Sequence, residues 1–134
     1  MKLAFAAATV LMFAVPAAGQ QVFVVRHAER ADAATGAPPM MTTDPDLSDP
    51  GKARAESLAT ALKDARITAI YTTEFKRTRQ TAAPLAKALG IEPTVVPAKD
   101  FPGLMEKVKA ASGNILVVGH SNTVGDVIAK LGAT

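Results

Sequence analysis

Residues 21–27 read Gln-Val-Phe-Val-Val-Arg-His, and residues 114–120 read Asn-Ile-Leu-Val-Val-Gly-His. Each is a short, largely β-branched apolar run with no polar residue in its middle, which is what a strand covered on both faces requires. Each also ends on a histidine, and these are the only two in the chain. In an open α/β sheet, ligands bind beyond the carboxyl ends of the strands. The two runs therefore predict a buried parallel sheet with His27 and His120 on its binding edge.

Between and around them the pattern alternates. Residues 47–65 predict a helix: Ser48 or Asp49 can cap it, Pro50 sits near the first helical position, and Ala55, Leu58, Ala59 and Leu62 form its apolar stripe. Residues 67–73 read as a second strand, and residues 75–89 as a second helix. That helix has Phe75, Thr78, Ala82, Leu85 and Leu89 on its core side, Gly90 as terminator, and Pro84 as an internal residue expected to kink it. A third strand is expected over residues 92–96, a third helix over 104–111, a fourth strand over 114–118, and a last helix over 123–131 capped by Ser121 or Asn122. Strands alternating with helices indicate an α/β sheet with helices on both faces. The stretch from His27 to Asp46, with Gly36, Pro38, Pro39 and Pro45, has no period. A loop of that length in a small domain is usually functional.

The chain has 134 residues and is 49% apolar, enough for one domain. Residues 1–19 stand apart, with Lys2 as their single charge, an apolar run, and small residues after Pro16. This is the layout of a cleavable signal peptide, with Ala17 or Gly19 as the cleavage position, followed by a domain over residues 20–134. It implies secretion, to the periplasm in a bacterium. Leu3 to Val15 falls short of the ~20 residues that span a bilayer, so no stable membrane anchor is expected. There is no cysteine, hence no disulfide, thiol nucleophile or thiolate metal site. Fifteen basic residues against 12 acidic give a charge of +3, of which Lys2 supplies one. With one tyrosine, no tryptophan and few phenylalanines besides, the composition does not fit a nucleic-acid partner.

The start of the second helix carries Lys76, Arg77 and Arg79. Cations are unfavourable there, because the helix dipole already places about half a positive charge at that end. An anionic ligand resolves the conflict, since backbone N–H groups and a guanidinium converge on one phosphate. Arg26 adds a further cation next to His27. Two histidines with arginines, and no glycine-rich phosphate loop, suit phosphoryl transfer. An imidazole serves as the nucleophile, and cations balance the charge on the three equatorial oxygens. A neutral His27 would attack phosphorus amid Arg26, Arg77 and His120, and a leaving alkoxide would need a general acid.

Four segments in order extend this reading: Arg26-His27-Ala28-Glu29, Leu47–Ala59 (LSDPGKARAESLA), Tyr71–Ala82 (YTTEFKRTRQTA) and Val117–Thr123 (VVGHSNT). Together they resemble the histidine phosphatase (phosphoglycerate mutase-like) superfamily, in particular its small single-domain phosphatases. Ala28 stands where the family motif has glycine. The resemblance implies a three-layer α/β/α fold with a mostly parallel sheet in the order 3-2-4-1-5-6. It implies a histidine acid phosphatase-type phosphoric monoester hydrolase that needs no metal and no cofactor, with a phosphohistidine intermediate on His27. His120 is the second catalytic histidine, and Arg26 and Arg77, rather than Lys76 or Arg79, bind the phosphate. Its partner would be a small phosphorylated substrate or a phosphoprotein, as phosphomonoester or phosphohistidine. Asp100, Glu29, Asp44 and Asp46 all stand as candidates for the general acid, with Asp100 nearest to where relatives place theirs. The family continues with two more strands, so the domain is expected to be truncated at its C-terminal end. Without them the strand at residues 22–25 would be an open edge inviting self-association.

Two other readings compete. Gly119-His120-Ser121-Asn122-Thr123 is similar to the G-x-S-x-G nucleophile elbow, but Thr123 occupies the final glycine position and no histidine follows Ser121. A non-catalytic phospholigand-binding envelope protein would use the same pocket. A two-histidine metal site leaves Arg26 and Arg77 unexplained.

Overall fold

The computed structural model describes residues 13–17, 20–35 and 43–132. Its strands are β1 (Phe13–Ala17), β2 (Gln20–Arg26), β3 (Ile67–Thr72), β4 (Thr94–Val95) and β5 (Asn114–Gly119). Its helices are α1 (Asp49–Leu62), α2 (Lys76–Leu89), α3 (Phe101–Ala110) and α4 (Ser121–Lys130). The sheet runs β1-β2-β5-β3-β4. Its last four strands are mutually parallel, in the relative order that the family resemblance implies.

The uninterrupted apolar runs are explained by what lies on each side. Successive side chains of a strand point to opposite faces. Phe23, Val25, Leu116 and Val118 pack against Leu58 and Leu62 of α1 and Ala82 and Leu85 of α2. Val22, Val24, Ile115 and Val117 pack against Leu104 and Val108 of α3 and Val124 and Val127 of α4. Each such side chain taken fully out of water contributes about 1.5–3 kcal/mol. Because both faces are covered, the middle of each strand, Val22–Val25 and Ile115–Val118, has no room for a polar residue.

The structure adjusts several element boundaries. The third predicted strand shrinks to Thr94–Val95, both exposed, because Pro93 and Pro97 flank it and it lies on the sheet edge. Helix α3 begins at Phe101 rather than at Leu104: Gly103 N donates to Asp100 Oδ1 at 3.0 Å, and Pro102 occupies the first turn. Helix α4 begins at Ser121, with His120 itself in the cap position in place of Ser121 or Asn122. Helix α2 continues through Pro84, which has no N–H for the Gln80 carbonyl, and its buried Ala82, Leu85 and Ala86 hold that turn against the core. Gly90 ends it in the left-handed region at φ 67°. The long loop is not structureless: residues Ala31–Thr35 form a 3₁₀ turn, and Arg30 bridges Leu47 antiparallel. Gly36, Pro38 and Pro39 lie outside the described residues.

The edge of β2 is not open. Strand β1 pairs with it antiparallel from Phe13↔Val24 to Ala17↔Gln20. A stretch whose composition reads as export leader thus also satisfies the backbone groups that an open edge would expose. The rest of that leader, residues 1–12 and 18–19, lies outside the described residues.

Candidate active site

Parallel pairing of β2 with β5 matches Arg26 to Gly119, so the two histidines follow side by side. His27 N donates to the Gly119 carbonyl at 2.9 Å. Ala28 N donates to Thr81 Oγ1 at 2.9 Å, and the Thr81 hydroxyl donates to the Arg77 carbonyl at 2.6 Å. The turn after β2 is thereby fixed to both β5 and α2. On its other side Glu29 O accepts from Ser48 N, 2.9 Å, and Gly51 approaches so closely that a β-carbon there would land on that carbonyl.

The imidazole centroids of His27 and His120 are 5.4 Å apart with the rings at 65°. His27 Nδ1 lies 2.8 Å from the Ala28 carbonyl. A carbonyl only accepts, so Nδ1 carries the hydrogen and Nε2 presents its lone pair. His120 is buried, and its Nε2 lies 3.1 Å from Thr73 Oγ1. Thr73 Oγ1 in turn lies 3.0 Å from Thr78 Oγ1, which donates to the Phe75 carbonyl at 2.9 Å. His120 Nδ1 has no hydrogen-bond partner among the described residues. Phe75 packs edge-on against the His120 ring at 5.4 Å.

Arg77 is fully buried and lies over the Phe75 ring, 4.3 Å from its centroid. Its Nη1 donates to the Thr43 carbonyl at 3.1 Å. Burial foremost, and then Arg30, lowers its pKa below the usual guanidinium range, although such a group stays charged at neutral pH. Arg26 is exposed at the rim, and its charge acts on both histidines. His27, His120 and Arg77 are therefore gathered at one sheet edge with Arg26 beside them. Ser121 is exposed in the first turn of α4.

The histidine phosphatase superfamily (branch 1) is matched over residues 22–107, well over half of the chain. This chain belongs to the histidine phosphatase superfamily. Comparison with curated proteins gives no match. Among solved structures, it is similar to the candidate phosphohistidine phosphatase SixA of Agrobacterium tumefaciens, with 26% identity, TM-score 0.64, and coverage of 83% of this chain and 76% of that one. It shares its fold with a proposed α-ribazole-5′-phosphate phosphatase of Escherichia coli at 16% identity and TM-score 0.70, covering 84% of this chain and 80% of that one. The mycobacterial glucosyl-3-phosphoglycerate phosphatase in complex with VO3 has the same fold, at 16% identity and TM-score 0.68, over 80% of this chain and 78% of that one.

The candidate acids of this histidine phosphatase-superfamily chain all hold structural bonds. Arg54 donates to both oxygens of Glu29, at 2.6 and 3.0 Å, and this contact first of all lowers the Glu29 pKa. Asp46 accepts from Gln80 Nε2 at 2.8 Å, which together with Lys76 lowers its pKa too. Asp44 accepts from Lys76 N at 2.8 Å. Asp100 caps α3. Asp44 also corrects the expectation for the crowded cations of α2: the negative partner at that helix start is in part the chain's own carboxylate, not only an outside anion. From sequence, Thr73 only closes the second strand and Thr78 only joins the core stripe of the second helix; neither is read as a partner of the site. Their only signal is a threonine at a strand end with another in the next helical turn, a pairing in which side chains bond to local backbone.

The titration of the two histidines sets a pH window. Burial, opposed by the Ala28 bond and reinforced by Arg26, Arg77 and Arg30, lowers His27 from 6.5 to about 4. Burial, then Arg77 and His27, lowers His120 likewise to about 4. Turnover through neutral His27 is therefore expected to hold through pH 6.5 and to fall only as the pH drops through about 4. Stability moves with the same sign. The unfolded chain binds the protons first, so the contribution is present above 6.5 and is lost as the pH falls toward about 4. Initial rates and thermal melts across that window check both, and an acid limb centred on 6.5 would count against them.

Proposed function

We propose that this chain is a metal-independent phosphatase that holds the transferred phosphoryl group on His27 Nε2, with phosphohistidine or an ester of comparably good leaving group as its substrate. The observation that carries the reading is the His27 ring. Its Nδ1 is committed to the Ala28 carbonyl, so Nε2 stays unprotonated beside His120 and Arg77. In the first step the His27 Nε2–P bond forms, the bond from phosphorus to the leaving atom breaks, and the electron pair goes to that atom. Arg26, Arg77 and His120 balance the charge on the phosphoryl oxygens. In the second step water attacks phosphorus, inorganic phosphate leaves, and His27 is regenerated.

The four engaged carboxylates favour a leaving group that departs without a proton from the protein. A phosphohistidine whose other ring nitrogen is protonated departs as neutral imidazole. The likeness to SixA points the same way. The leader-like residues 1–19 support export to the periplasm, where the partner would be a small phosphorylated substrate or a phosphoprotein. Self-association through the edge of β2 would require β1 to leave it.

The test offers an aryl phosphate to the chain in the presence of a chelator, then quenches in acid and in alkali while following protein-bound phosphoryl. An acid-labile, alkali-stable adduct is expected. Turnover without that adduct overturns the mechanism. A folded chain that binds vanadate without any turnover is a phospholigand-binding protein instead.

A further inference from the structure

Phosphoryl transfer asks opposite tautomers of the two histidines. A neutral imidazole carries one N–H and one lone pair. His27, to attack phosphorus, must present a lone pair, and the bond from its Nδ1–H to the Ala28 carbonyl secures this. His120, to meet phosphoryl oxygens, must present an N–H, because a lone pair there would repel them. Burial before all else keeps His120 neutral, so it has only one N–H to offer. Its Nε2 meets a hydroxyl rather than a carbonyl, Thr73 Oγ1 at 3.1 Å. A hydroxyl can give or take, so the direction follows from the bonds behind it.

Thr78 sets that direction. Its hydroxyl lies 2.9 Å from the Phe75 carbonyl and 3.1 Å from the Thr73 carbonyl, and a carbonyl only accepts, so the single Thr78 hydrogen is spent there. The Thr78 oxygen then accepts from Thr73 N at 3.1 Å and from the Thr73 hydroxyl at 3.0 Å. With its own hydrogen given to Thr78, Thr73 Oγ1 can only accept, from Phe75 N at 3.4 Å and from His120 Nε2. Each hydroxyl thus gives one hydrogen bond and takes two, its full complement. Reversing the order, so that Thr73 gives to Nε2, would put the ring hydrogen on Nδ1. That atom is buried without a partner among the described residues, and His120 holds the cap position of α4, where unpaired backbone N–H groups disfavour another N–H.

We propose that Thr73 is a positioning residue that fixes His120 as the Nε2–H tautomer, with Thr78 behind it setting the direction of the bond, and that an arriving phosphoryl oxygen takes this hydrogen bond over from Thr73. The proton stays on Nε2 throughout and only its acceptor changes. Phe75, edge-on to the ring at 5.4 Å, and the bond from His120 N to Thr123 Oγ1 at 3.0 Å hold ring and backbone during the exchange. Thr73 thereby decides which nitrogen carries the hydrogen without touching the substrate. The role of His120 rests on the phosphatase reading, whereas its tautomer is a property of the resting chain.

Long-range proton–nitrogen correlation NMR of the nitrogen-15-labelled chain near neutral pH tests it. The chain has only two histidines, so without a histidine tag the spectrum holds two ring patterns. One Nδ1–H pattern and one Nε2–H pattern are expected, and two like patterns overturn the inference. Bound vanadate is expected to shift the Nε2–H nitrogen, and a signal that it leaves in place overturns the exchange. Thr73→Val, close in volume, is expected to turn that ring into a mixture of tautomers and to lower kcat/KM about tenfold. Thr73→Ser restores the single pattern and recovers most of the rate. A Thr73→Val chain that keeps the pure Nε2–H pattern, or a Thr73→Ser chain as impaired as Thr73→Val, removes Thr73 from this role. Opposite tautomers in a folded chain with neither turnover nor vanadate binding would remove the phosphatase reading, and the exchange with it, while the tautomer assignment stands.

Discussion

His27→Ala is expected to lower kcat/KM by about 10⁴-fold or more, and to leave no phosphoryl group on the protein after either quench. The other ring nitrogen is spent on the Ala28 carbonyl, which leaves Nε2 with a lone pair for attack. Residual activity would come from the cations and from His120, which still polarise a bound phosphoryl group for attack by water. Folding is not the confounding factor. His27 is half-buried, and its side-chain hydrogen bond among the described residues is to the adjacent residue, so the variant should melt near the wild type. A variant that keeps activity within about tenfold of the wild type, a change of only ~1.4 kcal/mol in barrier, would rule His27 out as nucleophile.

Arg77→Ala is expected to cost about 10³-fold in kcat, with a parallel loss of vanadate affinity. The guanidinium is fully buried against Phe75, so its charge acts with little solvent screening. Arg77→Lys should recover little, because an ammonium cannot reproduce the planar fork that meets two phosphoryl oxygens at once. The alanine variant also loses the bond to the Thr43 carbonyl and opens a cavity beside Phe75, so some destabilisation accompanies it. Vanadate affinity separates the two effects. A folded variant that binds vanadate as the wild type does would show that Arg77 supports structure only.

Much of this was legible from periodicity. The two apolar runs had to be covered on both faces, and a histidine immediately after each placed both on the binding edge before any pairing was known. Capping chemistry was readable where it is local, as at Ser48, whose hydroxyl accepts from Gly51 N at 3.1 Å, and at Gly90. Roles that depend on distant partners were not. Asp44 meets the start of α2 across 32 residues of chain, so nothing beside it in sequence marks it as that helix's anion. Asp100 reads as an acid because it follows the third strand near where relatives place theirs, and the Pro-Gly after Phe101 also marks the helix start that Asp100 caps. Glu29 was ambiguous for the same reason, since only the folded chain brings Arg54 against it. Thr73 was hidden by its type, because a threonine closing a strand reads as β-propensity rather than as a partner for imidazole. Strand β1 was hidden by composition, as an export leader and an edge strand are both short apolar runs.

The Thr43 carbonyl on Arg77 has a consequence for how tightly this site holds what it processes. A phosphoryl group that reaches Arg77 Nη1 replaces an oxygen already there, so its arrival is an exchange, and the affinity gained is only the difference between two hydrogen bonds. A neutral carbonyl is a weak competitor against a dianion, and weaker still against the more spread charge of a phosphoryl group in flight. The exchange thus subtracts most, in proportion, from the resting complex and least from the transition state. Under the proposed function, such an exchange favours turnover over a low KM.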